Sequence, residues 1–301
     1  MNCLITGSNG FLGKIISNFL INNIELSTLS RSNADYSVDL SNEVPIFKKP
    51  FNIVIHAAGK AHSVPGNDFE KNEFNQVNFF GTKNLLEGLT KSGVPQYFVF
   101  ISSVSVYGKD FGIGIDENAA LRALDPYGIS KIKAEKIVLD WCKQHQVICT
   151  ILRLPLVVGP NPPGNLGSMI NGINKGYYLN VAGGSAKKSM VLASDVAEFV
   201  LKASEVGGIY NLTDGYHPTL FELSNTIAKQ LGKKPPLGMP FWFAKLIAFF
   251  GDLIGEIVPF NSRKLRKMNT SLTFDDSKAR VYFGWNPTPV LENLKIKCNN
   301  K

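Results

Sequence analysis

Asn2-Cys3-Leu4-Ile5-Thr6-Gly7-Ser8-Asn9-Gly10-Phe11-Leu12-Gly13 is the stretch on which the fold turns. The apolar run Cys3–Thr6 predicts a strand, and the apolar periodicity of Phe11–Ile21 predicts a helix. Three glycines occupy the junction. Gly7 takes a tight turn, Gly10 lets backbone approach a pyrophosphate, and Gly13 lets the helix lie close to the strand. Asn9, Phe11 and Leu12 complete the loop. The helix N-terminus offers N–H groups and positive potential to a phosphate. A purely structural glycine turn is the plain alternative, but a glycine loop between a first strand and a first helix favours a dinucleotide.

Working outward, apolar runs predict strands at Leu26–Leu29, Ile53–His56, Tyr97–Ser102 and Val147–Leu154, separated by helices at Glu70–Lys91 and Tyr127–His145. Such alternation predicts an α/β fold, a doubly wound parallel sheet of the Rossmann type with a smaller C-terminal substrate-binding lobe. Residues 1–160 read as the NAD(P)-binding domain. Residues 161–301 read mainly as the substrate lobe, with part (about 190–215) returning to the first domain, because Ile209–Leu212 looks like a further sheet strand. Ser194–Ala203 reads as a helix. Thr219-Leu220-Phe221-Glu222 has capping-box spacing and opens a helix through Leu231.

The 301 residues are 44% hydrophobic and 19% charged, an ordinary globular balance. The net charge of +8 is spread along the chain, which suits a phosphate-rich ligand better than nucleic acid. The run 263–267 is the exception. Cys3, Cys142, Cys149 and Cys298 lack zinc-ligand spacing, so reduced thiols in a cytoplasmic protein and no metal are expected. The N-terminus enters a strand directly, unlike a signal peptide. Segment 241–260 is apolar but interrupted by Lys245, Asp252 and Glu256, so no transmembrane span is expected. A helix packed in the small lobe is the favoured reading; a helix lying in a membrane interface is the lesser one, raised by the basic run that follows.

Two motifs carry chemistry. The strand at 97–102 ends in hydroxyls, Ser102 and Ser103, followed by Val104. Ser103 stands where it can align a reacting oxygen; capping the strand end is the plain alternative. Tyr127 and Lys131, four apart on a helix, share a face. A phenol has a pKa near ~10, and an adjacent ammonium stabilises its phenolate, so Tyr127 can trade a proton with a hydroxyl or carbonyl. Lys131 can also hold the nicotinamide ribose. At the end of the second strand, where an acid would bind the ribose of NAD, stand Ser30 and Arg31. Arg31 either pairs with a 2′-phosphate or is a solvated loop residue; the first favours NADP(H) over NAD(H). Asp39 and Leu40 fit an adenine edge or a surface turn.

Together these residues resemble the extended short-chain dehydrogenase/reductase family, the NAD-dependent epimerase/dehydratase group. The resemblance runs through TGSNGFLG (6–13), His56-Ala57-Ala58-Gly59, the segment 77–86, SSVSVYG (102–108), Asp125–Lys131, Leu152–Pro160, Asp275–Arg280 and Gly284–Pro287. It implies a catalytic triad of Ser103, Tyr127 and Lys131. It implies that Ala57, Ala58 and Gly59 line the cofactor, that Asn78 supports the active-site wall, and that Pro155 to Val157 pass under the nicotinamide. Asn165, Leu166 and Lys188 match regions that hold a nucleotide diphosphate, with Lys188 where arginine is common; Arg266 or Lys264 is a second candidate there. Family dehydratases place Asp-Glu after the catalytic Ser/Thr; here Val104 and Ser105 stand there, so water loss is not expected. The resemblance therefore implies reversible hydride transfer at one carbon of a nucleotide-diphosphate sugar, UDP-linked. The branch resembled, through HAAGKAH (56–62) and SLTFDDSKA (271–279), reduces UDP-4-keto-6-deoxy-N-acetylhexosamines for bacterial surface polysaccharide. A UDP-hexose 4-epimerase with bound NAD, and an idle NADP-sensing scaffold, are the alternatives. Family relatives pair through two helices, which implies a homodimer through Glu70–Lys91 and Tyr127–His145.

Overall fold

The computed structural model describes residues 1–61, 65–254 and 261–296. Seven parallel strands form the main sheet: β1 (Asn2–Thr6), β2 (Glu25–Ser30), β3 (Tyr36–Ser37), β4 (Ile53–His56), β5 (Tyr97–Ser103), β7 (Ile148–Leu154) and β11 (Gly208–Asn211). Their order across the sheet is β11-β7-β5-β4-β1-β2-β3. The strand alternation explains the layering. Cys3 and Ile5 of β1, with Val99 and Ile101 of β5, face one apolar cluster. Leu4, Phe98 and Phe100 face the other. Successive side chains of a strand point to opposite faces, and both faces here are apolar because helices cover both.

On the first face lie α1 (Phe11–Leu20) and α6 (Ala193–Val206), through Ile16, Leu20, Val196 and Val200. On the second lie α3 (Gly81–Ser92) and α4 (Pro126–Gln144), through Leu85, Leu89, Ala134 and Val138. Right-handed crossovers of parallel strands require such helices. The segment expected as one helix at 70–91 is three joined pieces: α2 (Asp68–Phe74), a π-helical turn (Asn75–Phe80) and α3. A π-turn re-aims the residues it contains and often marks functional positions; it holds Asn78.

A second, smaller body is built from short pairs: β10 (Met190–Leu192) with β8 (Leu156–Val158), β12 (Gly238–Met239) with β9 (Asn180–Val181), and β13 (Leu272–Phe274) with β6 (Gly112–Ile115). Periodicity missed these because strands of two to four residues carry almost no alternation. Around them lie α5 (Gly164–Lys175), α7 (Leu220–Gln230), α8 (Phe241–Ile254), α9 (Ser262–Asn269), α10 (Ser277–Phe283) and α11 (Val290–Asn293). Val158, Leu166, Met190, Leu223 and Ile227 form its largest core. Thr219 caps α7 as expected: its hydroxyl accepts from Glu222 N at 3.1 Å while the Glu222 carboxylate accepts from Thr219 N at 2.8 Å. The apolar helix expected over 241–260 spans Phe241–Ile254; residues 255–260, His62 and Cys298 lie outside the described residues.

Candidate active site

Strand order reverses between β1 and β4, and parallel sheets bind ligands in the crevice at such a switch point, beyond the carboxyl ends of the strands. The loops after β1 and β4 meet there. A Cβ on Gly7, which has φ of +70°, would lie 2.7 Å from both N and Cα of Ala58. A Cβ on Gly13 would lie 2.1 Å from the Gly7 carbonyl oxygen. The glycines are therefore a packing necessity, bringing the start of α1 against the sheet. Gly10 N donates to Gly7 O at 2.9 Å, and Asn9 Nδ2 holds Ser32 O at 2.5 Å, tying the loop to the end of β2.

Two observations fit this loop to a pyrophosphate. Helix α1 begins at Phe11, with Gly10 as its N-cap and no side-chain cap, so no capping side chain takes up the N–H groups of its first turn. The Ser8 hydroxyl is buried without a hydrogen-bond partner among the described residues. A buried hydroxyl left unsatisfied is costly and marks a place for a polar ligand. Ser8 escaped the sequence reading because it stands between the glycines, where any small residue looks permissible.

Beneath the crevice runs a buried polar chain whose directions are fixed by its ends. Thr82 Oγ1 donates to Asn78 O at 2.6 Å, so it accepts from His56 Nε2 at 2.9 Å. His56 Nδ1 then accepts from Thr6 Oγ1 at 2.7 Å, and Thr6 Oγ1 accepts from Ala58 N at 3.2 Å. Burial, with the Lys131 charge nearby, pushes the His56 imidazole down to about 3. His56 is thus a neutral strut that fixes the Ala57-Ala58-Gly59 turn. Asn78 ties that turn to α4: its Oδ1 accepts from Lys60 N at 2.7 Å, and its Nδ2 donates to Ser130 Oγ at 2.9 Å and to Lys60 O at 3.0 Å.

Ser103, Tyr127 and Lys131 converge beside this turn. Ser103 ends β5; its Oγ accepts from Ser105 N at 3.2 Å and donates to Ser105 Oγ at 3.1 Å. Asp125 caps α4 by accepting from Gly128 N at 3.0 Å, with Pro126 in the first turn, which sets the pitch that carries Tyr127 and Lys131. Burial raises the Tyr127 phenol above its ordinary value, opposed by a hydrogen bond with Ser103. The phenol is thus raised, not lowered as its spacing from Lys131 predicts. The Lys131 ammonium donates instead to Ile101 O at 2.8 Å and lies 4.4 Å from the Phe100 ring centroid. Burial lowers Lys131 to about 8, with Glu135 pulling the other way. A Cβ on Gly59 would stand 3.6 Å from Lys131 Nζ and 3.0 Å from Asn78 Oδ1, so the turn lies directly against the lysine.

Behind the triad is an ion pair that the sequence reading did not find. Arg153 forks onto Glu135 at 2.7 and 3.1 Å, with both side chains 3% exposed. Ser102 Oγ donates to Glu135 at 2.5 Å, and Arg153 donates to Tyr107 OH at 3.1 Å. Glu135 stands one turn beyond Lys131, which was the available signal.

The remaining candidates divide. Ser30 is half-buried, and Arg31 is exposed beyond β2; the Arg31 charge helps hold the Asp39 carboxyl low, after the hydrogen bond from Ser41. Leu40 is buried in the core and Asp39 accepts from Ser41 and Asn42, so that stretch is a packed turn. Phe11, Leu12, Val104, Pro155 and Val157 are half-buried; Leu12 and Val157 pack against the core of the first sheet face, and Val104 against the cluster of Val106 and Tyr107. Leu166 is a core residue, whereas Asn165 is exposed. Lys188 donates to Lys267 O at 2.9 Å and Thr270 O at 2.8 Å, closing the end of α9, and Arg266 pairs with Asp110 at 3.1 Å. Lys188 is thus half-buried and bonded within the fold, whereas the Arg266 side chain, though paired, remains 63% exposed. No group of three or more metal-ligating side chains occurs among the described residues.

The likeness to known proteins agrees with this geometry. A UDP-glucose 4-epimerase of Vibrio cholerae is 26% identical, over 96% of this chain and 92% of its own. An N-acetyl-alpha-D-glucosaminyl-diphospho-ditrans,octacis-undecaprenol 4-epimerase of Escherichia coli O157:H7 is 25% identical, over 92% and 88%. The fold is shared with the crystal structure of a UDP-glucose 4-epimerase from Thermotoga maritima with UDP-glucose, at a TM-score of 0.76 and 23% identity, covering 98% of this chain and 96% of that one. The profile of the NAD dependent epimerase/dehydratase family matches residues 3–213. With its glycine loop at the switch point and its Ser-Tyr-Lys cluster beside it, the chain belongs to the NAD dependent epimerase/dehydratase family and is an NAD(P)-dependent enzyme of the short-chain dehydrogenase/reductase type.

Proposed function

We propose that the enzyme oxidises or reduces C4 of a nucleotide-diphosphate sugar, and that its forward reaction is reduction of a UDP-4-keto-6-deoxy-N-acetylhexosamine with NADPH in cytoplasmic synthesis of surface polysaccharide. The observation that carries the reading is the convergence of Ser103, Tyr127 and Lys131, with Val104 and Ser105 where a dehydrating enzyme needs carboxylates. Ser105 is spent on holding the Ser103 hydroxyl. When bound, the nicotinamide dinucleotide supplies the hydride. Ser103 holds the sugar oxygen, and Tyr127 gives that oxygen its proton as the carbonyl becomes a hydroxyl. Lys131, fixed by Ile101 O, keeps a positive charge within the site and binds the ribose. Asn78 and His56 hold the cofactor turn rigid from below.

Arg31 supports NADPH over NADH, because its exposed guanidinium stands at the end of β2, where a 2′-phosphate would lie. A second reading, 4-epimerisation with NAD retained, is supported by the names of the Vibrio and Escherichia relatives. The E. coli protein is named for a sugar on a lipid diphosphate, so the diphosphate is the element common to both. Homodimer formation through α2–α3 and α4 accompanies either reading, as does the division into a cofactor domain over 1–160 and a substrate lobe.

The deciding assay mixes the protein with NADPH and the UDP-4-keto sugar and follows nicotinamide absorbance. Stoichiometric loss of NADPH establishes the reductase. Interconversion of UDP-hexoses without net loss establishes the epimerase. Tyr127→Phe should slow either reaction roughly 10²–10⁴-fold, the usual contribution of a general acid, with dinucleotide affinity unchanged; near-normal turnover would sink the assignment.

A further inference from the structure

The most unusual surface lies on α8. A helix on a protein surface ordinarily turns its large apolar residues inward. This one does the reverse. Ala244, Ala248 and Gly251, spaced four and three apart on one face, are buried. Ala244 and Ala248 pack on Val181 and on Leu265 of α9. The opposite face carries Trp242, Leu246, Phe249 and Phe250, which are 69%, 47%, 58% and 53% exposed. Small residues make the internal contact, and the large ones stand in solvent.

The charge carried by α8 and by its neighbour α9 has one dominant sign. Lys245 reaches over the Phe241 ring, with its ammonium 4.9 Å from the centroid. Helix α9, packed beside α8, carries Lys264, Arg266 and Lys267. The acidic groups nearby are already engaged. Asp110 receives Arg266 and Lys267, each at 3.1 Å, and Asp252 accepts from Ser262 N at 3.1 Å. An exposed aromatic face on a helix that carries Lys245 and packs beside a basic helix is the pattern of a segment lying in a bilayer interface rather than crossing it. No helix among the described residues is long and apolar enough to cross a membrane.

We propose that the α8–α9 pair docks on an anionic lipid bilayer, with Trp242, Leu246, Phe249 and Phe250 entering the headgroup boundary and the basic residues of α9 facing lipid phosphates. The charge argues against a second copy of the chain on this face, since a two-fold contact would set basic edge against basic edge. Docking goes beyond the C4 chemistry and does not depend on it. Through Lys188, which is bonded to Lys267 O and Thr270 O, the bilayer-facing helix is joined to the wall of the substrate lobe.

The test is co-sedimentation of the full chain with vesicles of phosphatidylcholine alone or mixed with phosphatidylglycerol, which involves no turnover and so fails or succeeds apart from the assay above. The protein should pellet with the anionic vesicles, less so as salt rises, and stay in solution with the neutral ones. The triple variant Trp242→Ser, Phe249→Ser, Phe250→Ser should lose most of the pelleted fraction. Trp242→Phe, which keeps the helix, gives an independent readout: wild-type tryptophan emission should shift to the blue on adding anionic vesicles, and the variant should not shift. Absence of wild-type pelleting, equal pelleting of the triple variant, or a blue shift that survives Trp242→Phe would overturn the proposal. So would a wild-type oligomer that the triple variant dissolves without any vesicle binding.

Discussion

Lys131 concentrates the chemistry of single residues. Its ammonium is desolvated, which disfavours the charged form and brings its pKa to about 8; the Glu135 carboxylate partly restores it. The charged form prevails below that value and is lost as pH rises through it. The kcat/KM profile should therefore fall above a pH of about 8, earlier than an ordinary lysine would cause. Glu135→Gln removes the charge that supports the ammonium, so the falling limb should move to lower pH. It also leaves Arg153 buried beside a neutral amide, a loss of about 3–5 kcal/mol where a buried pair is broken, readable by urea titration. A limb that stays put in Glu135→Gln would separate Lys131 from the pH dependence. The Tyr127 and Lys131 pair was legible from its spacing, and the glycines from their place after a strand. The burial of Leu40 and Leu166 in the core was not legible, because an apolar residue in a binding motif and one in a core have the same chemistry. The bonds of Lys188 to Lys267 and of Arg266 to Asp110 were not legible, because these partners lie far away in sequence.

Elements differ in how much of their formation is local. Helix α7 is bounded by its own residues: Thr219 and Glu222 satisfy each other's backbone donors, and the sequence pattern alone located its start. Thr219→Ala should cost about 1 kcal/mol, the usual worth of an N-cap side chain, measured as a shift in the urea midpoint; no change would mean that packing on α5 holds the helix without its cap. The π-turn at Asn75–Phe80 has no such local signature. It arises where Asn78 bonds both the Lys60 backbone and Ser130, so the turn is imposed by α4 and the loop after β4. Helix α8 is the converse case: its composition announced an apolar helix, but only its packing reveals that the small residues face inward.

At the scale of the whole molecule, the C-terminal segment returns to the first body. Trp285 is buried in the core of the first sheet face, stacked edge-on against Phe199 at 5.0 Å, and donates from Nε1 to Thr213 O at 2.9 Å. Asp276, held by Arg280 at 2.8 Å, closes the same corner with Thr213. Trp285→Ala should destabilise the protein by about 3–5 kcal/mol, as large core truncations do, in a denaturation monitored by far-UV circular dichroism. Loss confined to the last thirty or so residues, with the sheet intact, would mean that the tail is an appendage. The sequence by itself determined the parallel α/β sheet, the glycine loop after its first strand and the shared helix face of Tyr127 and Lys131, because periodicity, turn chemistry and helical spacing act over a few residues. Only the tertiary structure decided that Lys131 is held by Ile101, that Glu135 and Arg153 lie buried behind it, that Ser8 is left without a partner, and that α8 turns its aromatic face outward. Each of these depends on which distant segments meet, and burial and pairing are properties of that meeting rather than of any stretch of chain.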